Sequence, residues 1–96
     1  MAVAITDAVA DTLARSLALE LAPIRVNAMS PGVIDTGAWD AFGEQGKADY
    51  FAGISSRNPA GRIGTIKDIA QGVLFALTNT FLTGQTPHID GGEPLT

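Results

Sequence analysis

The stretch VADTLARSLALELAPIRVNAMSPG, residues 9–32, decides the fold class of this chain. Its large apolar side chains first recur at every fourth position, which places them on one face of a helix. They are Val9, Leu13, Leu17 and Leu21. Pro23 ends the helix, because the residue before a proline is disfavoured in the α region. Residues 24–30 are short, β-branched and closed by Pro-Gly, which predicts a strand. A helix that leads directly into a strand indicates an α/β fold with a parallel sheet.

The remainder of the chain extends this outline. Residues 33–64 are rich in glycine, which costs about 1 kcal/mol against alanine inside a helix, so we expect a long loop with short helices. A helix over residues 65–79 begins at a capping box formed by Thr65 and Asp68. Residues 86–92 predict an edge strand and tail, since Pro87 cannot donate to a ladder. With a helix over residues 1–22, the chain is predicted to be one partial α/β unit over 1–96.

Composition excludes several classes of protein. The chain has 96 residues and a net charge of −4, so a nucleic-acid binder or a protein bound to an anionic membrane is not expected. Acidic residues interrupt every long apolar run, which argues against a membrane span. There is no cysteine and only one histidine, His88, so neither a thiolate site nor a multi-imidazole metal site is predicted. The acidic N-terminal residues do not suit a signal peptide, and we expect a cytoplasmic protein.

Motifs that carry chemistry are missing from these 96 residues. The sequence contains no G-x-G-x-x-G, no P-loop and no G-x-S-x-G. Tyr50 is followed four residues later by Ile54 rather than by a lysine. No two carboxylates stand at a spacing that suits an acid and base pair. The residues alone therefore predict a small acidic α/β unit with no catalytic residue and no metal ligand set.

Three blocks of sequence nevertheless resemble a known family. They are RSLALELAPIRVNAMSPGVIDT at 15–36, NPAGRIGTIKDIAQGVLFALTN at 58–79 and TGQTPHIDGG at 83–92. In this order and spacing they resemble the C-terminal portion of a short-chain dehydrogenase/reductase, most of all the branch of 3-oxoacyl-carrier-protein reductases. The resemblance implies a Rossmann-like doubly wound parallel sheet, truncated here to its last two strands. It also implies hydride transfer between NAD or NADP and a carbonyl or alcohol.

The resemblance also implies which residues contact the cofactor and the substrate. The turn at Pro31 and Gly32, the backbone of Ile34 and the side chain of Thr36 would face the nicotinamide carboxamide. Residues 37–58 would form the substrate loop, in which Trp39 and Phe42 would contact the substrate.

The catalytic part of the family pattern is absent. Counting back from the first block places the family's Tyr-x-x-x-Lys on Val3 and Asp7. Valine has no proton to give, and a carboxylate raises the pKa of a neighbouring phenol. We therefore expect this chain by itself to bind no cofactor and to reduce no carbonyl.

Three interpretations remain open from the sequence. The chain is a truncated family member, one part of a split oxidoreductase, or a non-enzymatic module that associates with itself. The third would use the first helix and the last helix and strand to form a homo-oligomer. Each candidate residue also has a purely structural interpretation: Ile34 and Thr36 as a self-satisfied turn, Trp39, Phe42 and Tyr50 as packing under the loop, and His88 as an exposed edge residue.

Overall fold

The computed structural model describes the backbone of residues 2–96 and the side chains from residue 8 onward. Its helices are α1 (Ala2–Glu20), α2 (Gly43–Arg57) and α3 (Ile66–Thr78), with 3-10 turns at Asp40–Phe42 and Glu93–Leu95. The strands β1 (Ser30–Pro31) and β2 (His88–Ile89) pair in parallel. The architecture is α/β, as predicted. The described chain divides into two compact units, and its organisation as one partial α/β unit over residues 1–96 stays a prediction.

The first unit contains the residues up to Ser30 together with Gln71–His88. Helix α1 ends at Glu20, before the predicted boundary at residue 22, because the restriction that Pro23 imposes begins at the preceding residue. The helix packs within this unit through a small side chain, Ala14, which is 4% exposed. The Thr86 hydroxyl donates to the Asp11 carboxylate at 2.9 Å and joins the helix to the segment before β2.

The large apolar side chains of α1 face away from these contacts. Leu13 is 54% exposed and Val9 is equally open. A Cβ atom at Gly84 would lie 3.5 Å from the Cβ of Ala18, so the unit's own packing uses the small-residue side of the helix. Of the apolar face identified from the i, i+4 pattern, Val9 and Leu13 therefore stay largely exposed in the described chain, whereas Leu17 is half-buried.

The strand predicted over 24–30 is much shorter in the structure, and so is the strand predicted over 86–92. The extended segments do run side by side: Ala28 N donates to Gln85 O at 2.9 Å and Ser30 N to Pro87 O at 3.0 Å. In a parallel ladder the next bond would come from the amide of residue 87 to the carbonyl of Ala28. Pro87 has no N–H, so the regular ladder begins only at Ser30. Beyond Ile89, positive φ angles of 65° and 77° at Gly91 and Gly92 end β2.

Arg25 joins the extended segment to the end of α3. Its guanidinium donates to Ala76 O at 2.7 Å, to Leu77 O at 2.8 Å and to Leu82 O at 3.2 Å. These acceptors include carbonyls of the last helical turn, which have no partner inside the helix. The negative end of the helix dipole also stabilises a cation at this position. Asn27 adds a bond from its side-chain amide to Leu82 O at 3.0 Å.

The second unit contains Pro31–Ala70 and Ile89–Thr96. It includes the start of α3, where the predicted capping box is present: Asp68 N donates to Thr65 Oγ1 at 3.2 Å and Thr65 N to Asp68 Oδ2 at 2.8 Å. Arg62 adds two bonds to the same carboxylate, at 2.7 and 3.1 Å. These bonds from Arg62, followed by those from Thr65, hold the pKa of Asp68 well below its usual range.

The expectation of only short helices in the 33–64 loop is wrong, because α2 runs for 15 residues. Glycines at 46 and 53 lie inside this helix. Their cost of about 1 kcal/mol each is offset by tertiary packing. That packing is an aromatic cluster formed by side chains of α2 and of the residues just before it. Its members are Trp39, Phe42, Tyr50 and Phe51.

We expect Arg25→Ala to lower the free energy of unfolding by about 1–3 kcal/mol, since it leaves carbonyls of the last helical turn without their charged donor. Arg15→Ala is the matched control, because Arg15 makes only an exposed i, i+4 pair with Asp11 and should change stability by about 0.5 kcal/mol or less. Urea denaturation followed by circular dichroism at one protein concentration measures both. Equal effects of the two variants would contradict the assigned role of Arg25.

The Asp68 cap predicts a pH dependence of stability. The pKa of Asp68 is lowered in the folded chain, so its contribution is complete above the ordinary carboxyl pKa and is lost as the pH falls towards the folded pKa. The melting temperature of Asp68→Asn should therefore lie below that of the wild type at neutral pH, and the two should converge on acidification. Asp49→Asn is the control, since Asp49 accepts only an exposed bond from Gln45. A difference in melting temperature between the wild type and Asp68→Asn that stays constant across the acid range would exclude this explanation.

Candidate functional site

In the turn after β1, the backbone N–H and C=O groups of Ile34 point away from Gly64, the residue with which Ile34 forms a bridge. Ile34 pairs with Gly64 in an isolated parallel bridge, whose two bonds are Asp35 N to Gly64 O at 3.0 Å and Gly64 N to Val33 O at 3.1 Å. Because flanking residues supply both bonds, the N–H and C=O of Ile34 itself point to the opposite side. The carbonyl accepts the indole N–H of Trp39 at 3.0 Å. Among the described residues, the Ile34 N–H has no acceptor.

Gly32 permits a close approach of two backbone segments. Its N–H donates to Ile89 O at 2.9 Å, and a Cβ atom at this position would lie 2.6 Å from the Cα of Asp90. Any other residue would force the two segments apart. Gly32 thus places the Pro31–Thr36 turn against the end of β2. The Ile34 side chain, 7% exposed, fills the space beside Gly64.

An open apolar depression of about 440 Å³ lies in this unit beside the turn. All four residues that the resemblance assigns to the cofactor lie in its wall, together with one of the two substrate-loop residues. The lining residues are Pro31, Gly32, Ile34, Thr36, Ala38, Trp39, Ile66, Ile69 and Ala70. No ionisable side chain lies among them, so the depression suits an uncharged ring with few polar groups.

Thr36 contributes the hydroxyl of this wall. Its side chain is exposed, and its oxygen accepts a long bond of 3.4 Å from the backbone N–H of Ala38. This bond lies within the turn, and the structural interpretation predicts such a turn, whose own residues satisfy its backbone groups. A hydroxyl still has a donor and a second lone pair to offer. The geometry therefore leaves Thr36 available to a polar group placed in the depression.

Trp39 and Phe42 lie next to each other, but only Trp39 reaches the depression. Their ring centroids are 5.7 Å apart, and Tyr50 packs against both of them at 5.1 and 6.0 Å. Phe42 is largely exposed on the outer side of the aromatic cluster. The structural interpretation of Tyr50 as a packing residue agrees with these contacts. The substrate contacts expected of Trp39 and Phe42 stay predictions.

Lys47 is a residue that sequence reasoning missed. Its ammonium lies 2.9 Å from the carboxylate of Asp40 and 3.1 Å from that of Asp35, and 5.6 Å from the centroid of the Phe51 ring. The hydrogen bonds that the ammonium donates to Asp40 and to Asp35 raise the pKa of Lys47 above its usual value. A signal was available, because Lys47 is the only cation between residues 33 and 56 and three acids precede it there, two of which are its partners Asp35 and Asp40.

Asn58 is a second residue that the sequence reasoning did not single out. It is buried, its side-chain amide donates to Arg62 O at 2.9 Å, and its oxygen accepts the Gly61 N–H at 2.8 Å. Ala60 N donates to Gly91 O at 3.0 Å, so this turn rests on the end of β2. The Asn-Pro dipeptide is a known turn signal. With both side-chain groups satisfied, Asn58 has a structural role.

The remaining candidates lie outside this site. His88 is solvent-exposed in β2, as the structural interpretation predicts. The side chains of Val3 and Asp7 fall outside the part that the structure describes. Within the described side chains no cluster of three or more metal-ligating residues occurs. No helix of the described chain has the length and hydrophobicity that crossing a membrane requires.

Sequence comparison shows one family of proteins to which this chain is similar. The family model described as enoyl-(acyl carrier protein) reductase matches residues 2–93. The 3-oxoacyl-[acyl-carrier-protein] reductase FabG of Buchnera aphidicola is 42% identical over 82 residues, which are 81% of this chain and 32% of that protein. The short-chain dehydrogenase/reductase fsr5 of Gibberella fujikuroi is 37% identical over 82 residues, covering 84% of this chain and 31% of that protein.

Structural comparison agrees with this result. The crystal structure of a small-chain dehydrogenase in complex with NADPH superposes with a TM-score of 0.85 and 38% identity, and covers 90% of this chain and 39% of that one. The chain thus spans about a third of the length of the curated relatives it matches. The family-model match over residues 2–93 includes β1, the turn with the candidate site and α3. This chain belongs to the short-chain dehydrogenase/reductase family.

Proposed function

We propose that this chain carries the nicotinamide-contacting turn and the substrate loop of an NAD(P)-dependent oxidoreductase that acts on a carbonyl or alcohol. The observation that carries the proposal is the Ile34 N–H, which points away from Gly64 and lacks an acceptor among the described residues. A neighbouring hydroxyl, that of Thr36, stands in the same wall. NADPH is bound by one of the solved structures that this chain resembles.

The polar groups of the turn suit a carboxamide. Its oxygen would accept the Ile34 N–H, and its amide would donate to the Thr36 hydroxyl. The apolar lining beside them suits the flat face of a nicotinamide ring. When bound, the nicotinamide supplies or accepts a hydride. The residues of this chain would then decide which face of the ring is presented to the substrate.

The same residues do not supply the rest of the reaction. The chain contains no G-x-G-x-x-G loop to hold the pyrophosphate, and Val3 and Asp7 stand where the resemblance places the proton donor and its lysine. We propose accordingly that the 96 residues by themselves reduce no carbonyl. The substrate loop, with Trp39 and Phe42, would contact the substrate. A cytoplasmic location is proposed from the absence of cysteine.

We also propose that the chain associates with itself through α1 and through the α3–β2 segment. The support is the apolar surface on these elements. Val9 and Leu13 are exposed on α1, Leu77 is exposed in the last turn of α3, and Phe81 is exposed in the segment that follows α3. Exposed apolar patches of this kind mark interfaces in stable proteins. Two short strands add little stability of their own.

Nicotinamide mononucleotide and adenosine monophosphate test the proposed half-site separately. The chain has no loop to hold the pyrophosphate of the intact cofactor, so the test uses the nicotinamide half alone at saturating concentration. We expect nicotinamide mononucleotide to shift the backbone amide resonances of Gly32, Ile34 and Thr36, whereas adenosine monophosphate leaves them unchanged. Thr36→Val should weaken the binding of nicotinamide mononucleotide by about three- to tenfold, the equivalent of one hydrogen bond. Thr80→Val, at an exposed threonine of the other unit, is the control. Shifts with adenosine monophosphate alone, or none with either, would refute the assignment.

Native mass spectrometry and light scattering across micromolar concentrations test self-association. We expect an oligomer for the wild type and a shift towards monomer for Leu13→Asp, because the new charge would be buried in the α1 interface. Leu19→Asp introduces the same charge at an exposed position on another side of α1 and should retain the oligomer. A folded monomer at every wild-type concentration would contradict the proposal.

A further inference from the structure

We propose that Lys47 is a positioning residue that ties the Ile34–Thr36 turn to the aromatic cluster of the substrate loop. The link to nicotinamide binding rests on the function proposed above, whereas the link between the turn and the cluster rests on contacts within one unit. The consequence is that the position of the substrate loop and the geometry of the nicotinamide contact change together.

One ammonium group connects three parts of this unit. Lys47 itself lies in α2, Asp40 opens the 3-10 turn that leads into α2, and Asp35 lies in the turn between Ile34 and Thr36. The Nζ atom reaches the two carboxylates at 2.9 and 3.1 Å. A single acidic partner would leave Lys47 a local helix contact. Two partners on different segments make it a bridge.

The aromatic cluster forms the other half of the connection. The ammonium lies 5.6 Å from the centroid of Phe51, within range of a cation–π interaction. Phe51 lies 6.5 Å from Trp39 in an edge-on arrangement. Trp39 returns to the turn through its indole N–H, which donates to Ile34 O at 3.0 Å. Lys47, through Asp35, and Trp39, through Ile34 O, therefore hold the same turn.

The exposure of these groups determines what kind of effect to expect. The Lys47 side chain is 26% exposed, and both carboxylates are more open to solvent. Ion pairs at such positions contribute little to global stability and are screened by salt. Loss of Lys47 should accordingly leave the unfolding midpoint nearly unchanged. It should instead loosen the cluster around Trp39, which a purely structural role would not do without loss of stability.

The experiment uses the fluorescence of Trp39, the only tryptophan of the chain. Emission and acrylamide quenching are measured for the wild type, Lys47→Met, Lys47→Arg and Lys67→Met. Lys67 is the only other lysine and is exposed on α3, so its variant is the matched control. We expect Lys47→Met to raise the quenching constant by on the order of twofold, with a melting temperature equal to that of Lys67→Met. Lys47→Arg should restore the wild-type value.

Salt and ligand provide two further readouts. High sodium chloride should move the wild type towards the Lys47→Met value and leave that variant unchanged. Nicotinamide mononucleotide should protect Trp39 from quenching in the wild type, and should bind to Lys47→Met with less protection.

Two results would overturn the inference. One is identical quenching in Lys47→Met and Lys67→Met, and the other is a quenching change that appears only together with a loss of melting temperature. If nicotinamide mononucleotide fails to bind to the wild type, the proposed function fails. The ligand-free comparison of variants still decides whether Lys47 ties the turn to the cluster.

Discussion

The backbone hydrogen bonds between residues 26–32 and residues 84–89 are the constraint on which the described fold depends. Ala28 and Ser30 bond to this partner segment in the first unit, and Gly32 bonds to Ile89 in the second. Each unit therefore contains hydrogen bonds between these two segments. A proline at 87 and glycine at 32 restrict how the segments pair: one removes a donor, and the other allows backbone to approach backbone. The strands are short because Pro87 removes a ladder donor at their start and because the positive φ angles of Gly91 and Gly92 end β2.

Side chains satisfy the free backbone groups at both ends of α3. Asp68 and Thr65 cap its beginning, and the guanidinium of Arg25 caps its last carbonyls. Orphan backbone groups at helix termini otherwise need water or a ligand. These caps allow a helix with an apolar face, much of it exposed, to end at defined residues. That definition matters because Ile66 and Ile69 form one wall of the candidate site.

The polar groups that the candidate site offers to a ligand come mainly from the backbone. Ile34 offers an amide that its own bridge does not use, and only Thr36 adds a polar side chain. A family that varies its substrates can retain such a contact while the neighbouring loop changes, because a backbone donor does not depend on the side chain. In this chain the neighbouring loop is α2 with its aromatic cluster, and the Lys47 contacts place that loop against the turn.

The sequence by itself determined the α/β class, the first and last helices and the Thr65–Asp68 cap. These depend on periodicity, on punctuation by proline and on contacts three residues apart, all of which can be recognised locally. The family was recognised from the resemblance of three blocks of sequence, and that resemblance also assigned Pro31, Gly32, Ile34 and Thr36 to one site. Only the tertiary structure decided that α2 is a long helix, that the strands are short, and that Lys47 and Trp39 meet at the Ile34 turn. Those outcomes depend on aromatic packing and on hydrogen bonds between distant residues, such as Ala28 with Gln85, which no local pattern encodes.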